Sequence, residues 1–315
     1  MTFYLQGQRW RPVAPLSLCI AVAFVALSVL AGAQAGDDDR QLFDLLERAG
    51  TYARQFEQKF ASVVTDEEYE QKTAIKDEKG RRQTNEEQRL RSEVLVTWLI
   101  EEDSWLTVRN VLNVNRDRVP DSANRLDALL AIQRREDYLE QLRLAREDSV
   151  RFNIGHVYRN FNDPLLVLEF LDPVHQDRFT FSIQGRASVD GVDTIRLSFV
   201  ETARPAMIRS GTGDLLSSGM VWMNPVDGAI VRTHLTLSEV ETNTHGSIVV
   251  DYRPNSALGI RTPVRMTERY TRDVLMNNGV PGKTISFVTM TEEIDCVATY
   301  SNFKRVEPAA RFDDQ

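Results

Sequence analysis

The sequence predicts a mainly β protein with helical insertions, an α+β fold built on a large curved antiparallel sheet or incomplete β-barrel of about eleven strands. Three observations predict this fold. Apolar and polar residues alternate over short runs between turn signals. Two other segments repeat apolar residues every three or four positions, which is the helical period. The chain of 315 residues has no linker rich in proline, glycine or serine, so these elements fit one domain.

The first 35 residues have the composition of a secretory signal peptide. Two arginines precede an apolar run at residues 16–30, and Ala33 and Ala35 provide the small residues of a cleavage site. The run is about fifteen residues long, whereas a membrane-spanning helix needs about 20. We therefore expect cleavage near Gly36, export to the periplasm or beyond, and a mature domain at residues 36–315 that does not span a membrane.

Residues 39–60 form the first predicted helix, and its apolar positions share one face. These positions are Leu42, Leu45, Leu46, Ala49, Tyr52, Ala53, Phe56 and Phe60. The aspartates at 37–39 suit the start of a helix, because carboxylates cap free backbone N–H groups and match the helix dipole. This helix is expected to cover one face of the sheet.

Strands are predicted over residues 62–115. Val94, Val96 and Trp98 share one face of a strand, while Leu95 and Thr97 share the other. The acidic residues at 101–103 indicate a turn, after which the chain returns as a neighbouring strand. About three antiparallel strands therefore follow the first helix.

A helical insertion is predicted at residues 121–149. Its apolar stripe consists of Leu126, Leu129, Leu130, Tyr138, Leu139 and Leu142. A shorter apolar stretch at 164–171 fits either a helical turn or a buried strand. Strand patterns then recur over residues 178–306, with turn signals at Asp190-Gly191 and at 225–228, which is typical of an antiparallel meander.

The order of these elements resembles the LolA/LolB-like fold of periplasmic lipoprotein carriers. The resemblance spans residues 39–306 and includes the hairpin sequence GMVWMNP at 219–225. The sequences FNIG at 152–155, RP at 204–205 and YSNF at 300–303 are similar to those of secreted bacterial proteins of the same type. The resemblance implies an incompletely closed barrel whose apolar concave face is covered by helices and holds acyl chains.

Aromatic and methionine side chains on the predicted strands are the candidate lining of a lipid cavity. They are Trp98, Phe179, Phe181, Met220 and Trp222. Such side chains offer large and adaptable apolar surfaces, and burial of each methylene group of a ligand contributes about 0.8 kcal/mol without directional contacts. The alternative for each residue is an ordinary place in the packed core.

Composition and motifs argue against several other functions. The chain has 46 acidic and 38 basic residues, an imbalance that disfavours nucleic acid as a partner. The four histidines are not spaced as metal ligands, and neither a G-x-S-x-G motif nor a phosphate-binding glycine loop before a helix is present.

The acidic run Glu292, Glu293 and Asp295 is expected to be solvated. Cys296 is expected to be buried and unpaired. We predict no catalytic residues, no metal and no cofactor.

The sequence therefore predicts a non-enzymatic, exported protein that binds an acyl chain, a lipid or a lipidated peptide in an apolar half-barrel. The alternative is an envelope protein that binds a protein partner or senses stress, with no lipid ligand.

Overall fold

The computed structural model describes residues 18–60, 62–77, 79–99, 104–159, 161–209, 213–239, 243–277 and 287–310, with the backbone alone at 18–37, 104 and 277. Residues 1–17 of the predicted signal peptide and the predicted turn at 101–103 lie outside the described residues. The chain divides into two compact units, Met1–Asp44 and Leu45–Gln315. All side-chain contacts below belong to the second unit.

Eleven strands and four α-helices make up the described chain. The helices are α1 (Leu18–Phe60), α2 (Arg125–Leu130), α3 (Arg135–Val150) and α4 (Leu166–Phe170). The strands are β1 (Ser62–Lys76), β2 (Arg82–Leu99), β3 (Ser104–Val114), β4 (Asp117–Arg118), β5 (Phe179–Val189), β6 (Val192–Glu201), β7 (Leu216–Met223), β8 (Ile230–Glu239), β9 (Thr244–Asn255), β10 (Ile260–Asn277) and β11 (Phe287–Arg305).

The strands form one antiparallel sheet in the order β4-β3-β2-β1-β11-β10-β9-β8-β7-β6-β5. The first long strand therefore pairs with the last, with Tyr69 opposite Ala298. The remaining neighbours are consecutive in sequence, as in a meander. Because β4 and β5 lie at the two ends, the sheet is not closed. The predicted fold class, a large antiparallel sheet or incomplete barrel of about eleven strands with an N-terminal helix, is confirmed.

One face of the sheet, here called the core face, packs against α1 and α4. Phe56 and Phe60 of α1 contact Trp105 of β3 at ring-centroid distances of 5.8 and 6.4 Å. Phe170 of α4 stacks on Phe179 of β5 at 4.7 Å. Within the second unit, the predicted apolar stripe of α1 is half-buried at Leu46 and buried, with at most 7% exposure, at Leu45, Ala49, Tyr52, Ala53, Phe56 and Phe60.

The opposite, outer face of β2 and β3 carries the inserted helices α2 and α3. Leu95 and Leu99 of β2 and Leu106 and Val108 of β3 are buried against these helices. The helices contribute Leu126, Leu129, Tyr138 and Leu142. This end of the sheet therefore has both faces covered, which explains why β2 contains consecutive apolar residues rather than a strict alternation.

The structure refines three sequence predictions. The insertion at 121–149 is two helices, because the chain is extended at Arg134, where φ is −80° and ψ is 126°. The stretch 164–171 contains the helix α4 rather than a strand. Helix α1 ends at Phe60 as predicted but begins at Leu18, since the preceding leucine- and alanine-rich residues have high helix propensity.

Candidate functional site

A buried polar network occupies the core face at the centre of the sheet. Glu67, Tyr69, Gln71 and Thr73 alternate along β1, point to the core face and are each at most 2% exposed. Nearby strands contribute further buried side chains, which are Arg109 of β3, Glu268 and Tyr270 of β10, and Cys296 and Tyr300 of β11. Polar groups in such a position need partners, because burial without them costs free energy.

Glu67 and Arg109 form a buried ion pair in this network. The Arg109 guanidinium donates two hydrogen bonds to the carboxylate, through Nε to Oε2 and through Nη2 to Oε1 at 2.9 Å. It also lies 4.8 Å from the centre of the Tyr69 ring. Although burial opposes the charge, the adjacent Glu67 carboxylate keeps the pKa of Arg109 above its ordinary value. The Arg109 guanidinium is therefore charged, and its two hydrogen bonds hold the pair in one geometry.

The segment between α3 and α4 closes over this network and inserts Arg159, which is completely buried. Arg159 donates to Gln71 Oε1 at 2.7 Å, to the Ile154 carbonyl at 2.8 Å and to Cys296 Sγ at 2.7 Å. Burial raises the pKa of the Cys296 thiol to about 12. Cys296 is therefore buried, as predicted, and protonated, which makes it a poor nucleophile.

Gly155 lets this segment approach the sheet, so we expect Gly155→Ala to destabilise the protein. Its φ is +86°, and an added Cβ would lie 2.5 Å from Ile294 Cδ1. The left-handed backbone and the overpacking together predict a loss of about 2–4 kcal/mol in the free energy of unfolding, measured by urea denaturation. Gly191→Ala is the control, because Gly191 has φ +78° but no atom within 4 Å of its Cβ position. Equal losses in the two variants would contradict the packing role.

Glu169 of α4 is another buried carboxyl group. Its Oε1 accepts a hydrogen bond from the Trp105 backbone N–H at 2.8 Å. Burial raises the pKa of Glu169 to about 8, and nearby Asp163 and Glu57 act in the same direction, while the Trp105 hydrogen bond and Arg146 oppose them. Burial also raises the pKa of Asp163. At neutral pH, Glu169 is therefore mostly a neutral acid.

This shift predicts how stability depends on pH. Between the ordinary pKa of 4.5 and about 8, the unfolded chain releases a proton that folded Glu169 retains, so the free energy of unfolding falls as pH rises. We expect Glu169→Gln to flatten the thermal-denaturation profile between pH 5 and pH 8. The exposed control Glu140→Gln should leave the slope unchanged. An unaltered slope in Glu169→Gln would show that Glu169 does not retain this proton.

The five predicted cavity residues lie on two faces of the sheet. Phe179 and Phe181 are buried on the core face and pack with Phe199 at centroid distances of 5.9 and 6.5 Å. Trp98 lies on the same face in another part of the sheet, where its ring is 5.1 Å from Trp105. Met220 and Trp222 alternate with the buried Val221 and Met223, so they lie on the outer face and are half-buried. The structure therefore does not bring the five together, and their contact with lipid remains a prediction.

The core face is tightly filled around the polar network. The cavity beside Arg109, Arg159 and Asp163 has a volume of about 20 Å³. This volume accommodates a water molecule but not an acyl chain. A ligand on this face would therefore have to displace α1, α4 or the segment that carries Arg159.

A much larger groove lies on the outer side, between α2, α3 and the segment that follows β4. Its volume is about 1030 Å³. The apolar lining consists of Val119, Pro120, Ala123, Ala128, Leu129, Ile132, Leu144 and Ala145. Leu144 is 49% exposed, an unusual position for a large apolar side chain. We call this cleft the helix groove.

Charged side chains flank the apolar floor of the helix groove. Arg125 Nη1 of α2 pairs with Asp148 Oδ2 of α3 at 2.8 Å, which links the two helices. Arg118 at the end of β4 and Asp121 in the segment that follows it also line the groove. The groove thus combines an apolar floor with a polar rim, the arrangement that suits an amphiphilic ligand.

Neither the polar network nor the helix groove was predicted from the sequence. The sequence did contain a signal for the network. Glu67, Tyr69, Gln71 and Thr73 share one face of β1, and the other face is also polar, so either face would bury polar side chains. The expectation that Glu292 is solvated is wrong: it is 1% exposed and accepts a hydrogen bond from the His156 backbone N–H at 2.8 Å. The exposure of Leu144 follows from how α2 and α3 pack together, and the spacing of apolar residues along one helix does not indicate it.

Comparisons with known proteins find structural likenesses only. No protein-family model matches the chain, and no curated protein matches it. Among the part of the chain that the structure describes, no helix is long and apolar enough to cross a membrane.

Solved structures that are similar to the chain include the following three. A putative outer membrane lipoprotein-sorting protein domain from Vibrio parahaemolyticus is 9% identical, covers 82% of this chain and 93% of its own, and has a TM-score of 0.33. A DUF1329 family protein from Desulfovibrio piger is 11% identical, with coverages of 82% and 92% and a TM-score of 0.32. Lipovitellin is 5% identical, with coverages of 80% and 26% and a TM-score of 0.27.

Proposed function

We propose that the protein is an exported, non-enzymatic carrier that binds the acyl chain of a lipid or lipidated peptide in the bacterial envelope. The helix groove is the observation that carries the proposal, because its volume of about 1030 Å³ is sufficient for a ligand of this size. The predicted signal peptide supports an address in the periplasm, with a mature domain beginning near Gly36. The resemblance to lipoprotein carriers supports the ligand class.

The chemistry of the groove fits an acyl chain. Its floor includes Leu129 from α2, Ile132 from the segment that follows α2, and Leu144 and Ala145 from α3. Each methylene group that leaves water for this floor contributes about 0.8 kcal/mol, without a directional partner. Arg118 at the rim supplies a positive charge for a carboxylate or phosphate at the polar end of the ligand.

The sequence-predicted cavity offers a second place for the ligand. Trp98, Phe179 and Phe181 would receive an acyl chain if α4 moved away from the core face. Met220 and Trp222 would contact it only from the outer face. We propose the helix groove as the primary site because it is open without a conformational change.

Uptake of a fluorescent fatty acid by the purified protein tests the proposal. We expect saturable binding, competition by unlabelled palmitate and co-purifying lipid that mass spectrometry detects. Protein that is free of lipid and takes up no fatty acid would contradict it.

A second candidate function is an envelope module that binds a protein partner without lipid. The outer face of β6 and β7 favours it, since Val200 is 52% and Leu216 is 40% exposed near Met220 and Trp222. Crosslinking in the periplasm tests this function. One abundant protein adduct together with no fatty-acid uptake would favour it over the carrier.

A further inference from the structure

A third cleft lies at the end of the sheet where α1 crosses two turns. It is bordered by Tyr52, Gln55 and Lys59 of α1, by the turn between β7 and β8, and by the turn between β9 and β10. Its volume is about 540 Å³, within the usual range of small-molecule sites. We call it the end cleft. The groove between α2 and α3 shares no lining residue with it.

Two asparagines of the end cleft, Asn224 and Asn255, offer hydrogen-bond donors to it. Asn224 uses its Oδ1 to accept from the Val226 N–H at 2.9 Å, and Asn255 uses its Oδ1 to accept from the Ala257 and Leu258 N–H groups. The amide NH₂ group of each asparagine therefore remains as a donor for the cleft. Because each side-chain oxygen is used within its own turn, both asparagines can act only as donors to a ligand in the cleft.

Two cations add to this donor set. Lys59 Nζ donates to the Gly259 carbonyl at 3.0 Å, which holds the ammonium group at the cleft and leaves it further N–H bonds. Arg261 donates through Nη2 to the Tyr252 carbonyl at 3.0 Å. In the floor, the Tyr52 hydroxyl and Arg261 Nε find no acceptor among the described residues.

Asp227 is the single acid among the described lining residues. Its Oδ1 is occupied by the Ala229 N–H at 3.0 Å. A cleft with two cations, two amide donors and one partly engaged carboxylate selects a ligand that is anionic and rich in acceptor oxygens.

We infer that the end cleft binds a phosphate ester, either a soluble one or the headgroup of a phospholipid. The donors come from three separate elements, which suits the oxygens of a tetrahedral phosphate. A planar carboxylate is less suited, because part of the Arg261 fork is already used by Tyr252. Lysine binds phosphate well as a point charge.

Calorimetry with glycerol 3-phosphate and co-sedimentation with phosphatidylglycerol vesicles test this inference. The key variants are Asn224→Asp and Asn255→Asp, which keep the acceptor oxygen that each turn requires but replace a donor by a negative charge. We expect each variant to weaken binding at least about tenfold. Lys59→Gln should weaken it as well and reduce its dependence on salt. The exposed Gln133→Glu, which adds the same charge outside the cleft, should have no effect.

The two probes identify the source of the phosphate. Binding of glycerol 3-phosphate that depends on these residues supports a soluble ester, and binding to vesicles alone that depends on them supports a lipid headgroup. If neither probe binds, or if the variants bind as the parent protein does, the inference is overturned. Lys59→Gln provides an independent readout if an aspartate variant does not fold. Fatty-acid uptake should be unchanged in all variants, which separates this result from that of the proposed carrier function.

Discussion

Replacement of Ala128 by tryptophan is expected to weaken fatty-acid binding at least about tenfold. Ala128 is exposed on α2 and lines the helix groove, so an indole ring there occupies ligand volume without entering the core. Exclusion of even two methylene groups removes about 1.6 kcal/mol, which corresponds to a factor of more than ten in Kd. Fluorescence titration with a labelled fatty acid measures the change.

The matched control is Ala131→Trp, an exposed alanine at the end of the same helix that does not line the groove. It should bind as the parent protein does. Leu144→Asp should also weaken binding, because it places a charge in the apolar lining from a half-exposed position. Unchanged affinity in both Ala128→Trp and Leu144→Asp would exclude the helix groove as the acyl site.

Replacement of Glu67 by glutamine is expected to cost about 3–5 kcal/mol in the free energy of unfolding. The substitution leaves the Arg109 guanidinium buried without a negative partner, since both residues are less than 10% exposed. Urea denaturation measures the loss. Replacing both residues, in Glu67→Leu with Arg109→Met, should recover much of it, because no unpaired charge remains.

Glu70→Gln is the control for this ion pair. Glu70 lies on the other face of β1 and pairs with Arg89 at 3.0 Å, with both side chains more than half exposed. Solvent screening limits such a pair to about 1 kcal/mol or less. A loss in Glu67→Gln as small as that in Glu70→Gln would contradict a structural role for the buried pair.

Periodicity predicted most of the fold because local patterns govern which elements form. The apolar stripe of α1 and the alternation along β6 to β9 appear in the structure as predicted. Pairing between β1 and β11 could not be predicted from local patterns, since it joins residues more than 200 positions apart. Which side of each strand becomes part of the core face also depends on this pairing.

The candidate sites were harder to predict than the fold, because a cavity is a property of packing. The alternation predicted that Met220 and Trp222 share a face, but not that this face is the outer one. Phe179 and Phe181 could equally have lined a cavity or a packed core, and the structure packs them against Phe170 and Phe199. The helix groove arises where two short helices meet the strand end, a junction that no single segment encodes.

Photocrosslinking with a diazirine-labelled palmitate, followed by mass spectrometry of the digested protein, tests the carrier function and its site most directly. Adducts are expected on α2, on α3 and on residues 118–124, and they should be lost in Ala128→Trp. Adducts confined to core-face residues such as Trp98, Phe179 and Phe181 would exclude the helix groove as the site, and the absence of any specific adduct would contradict the carrier function.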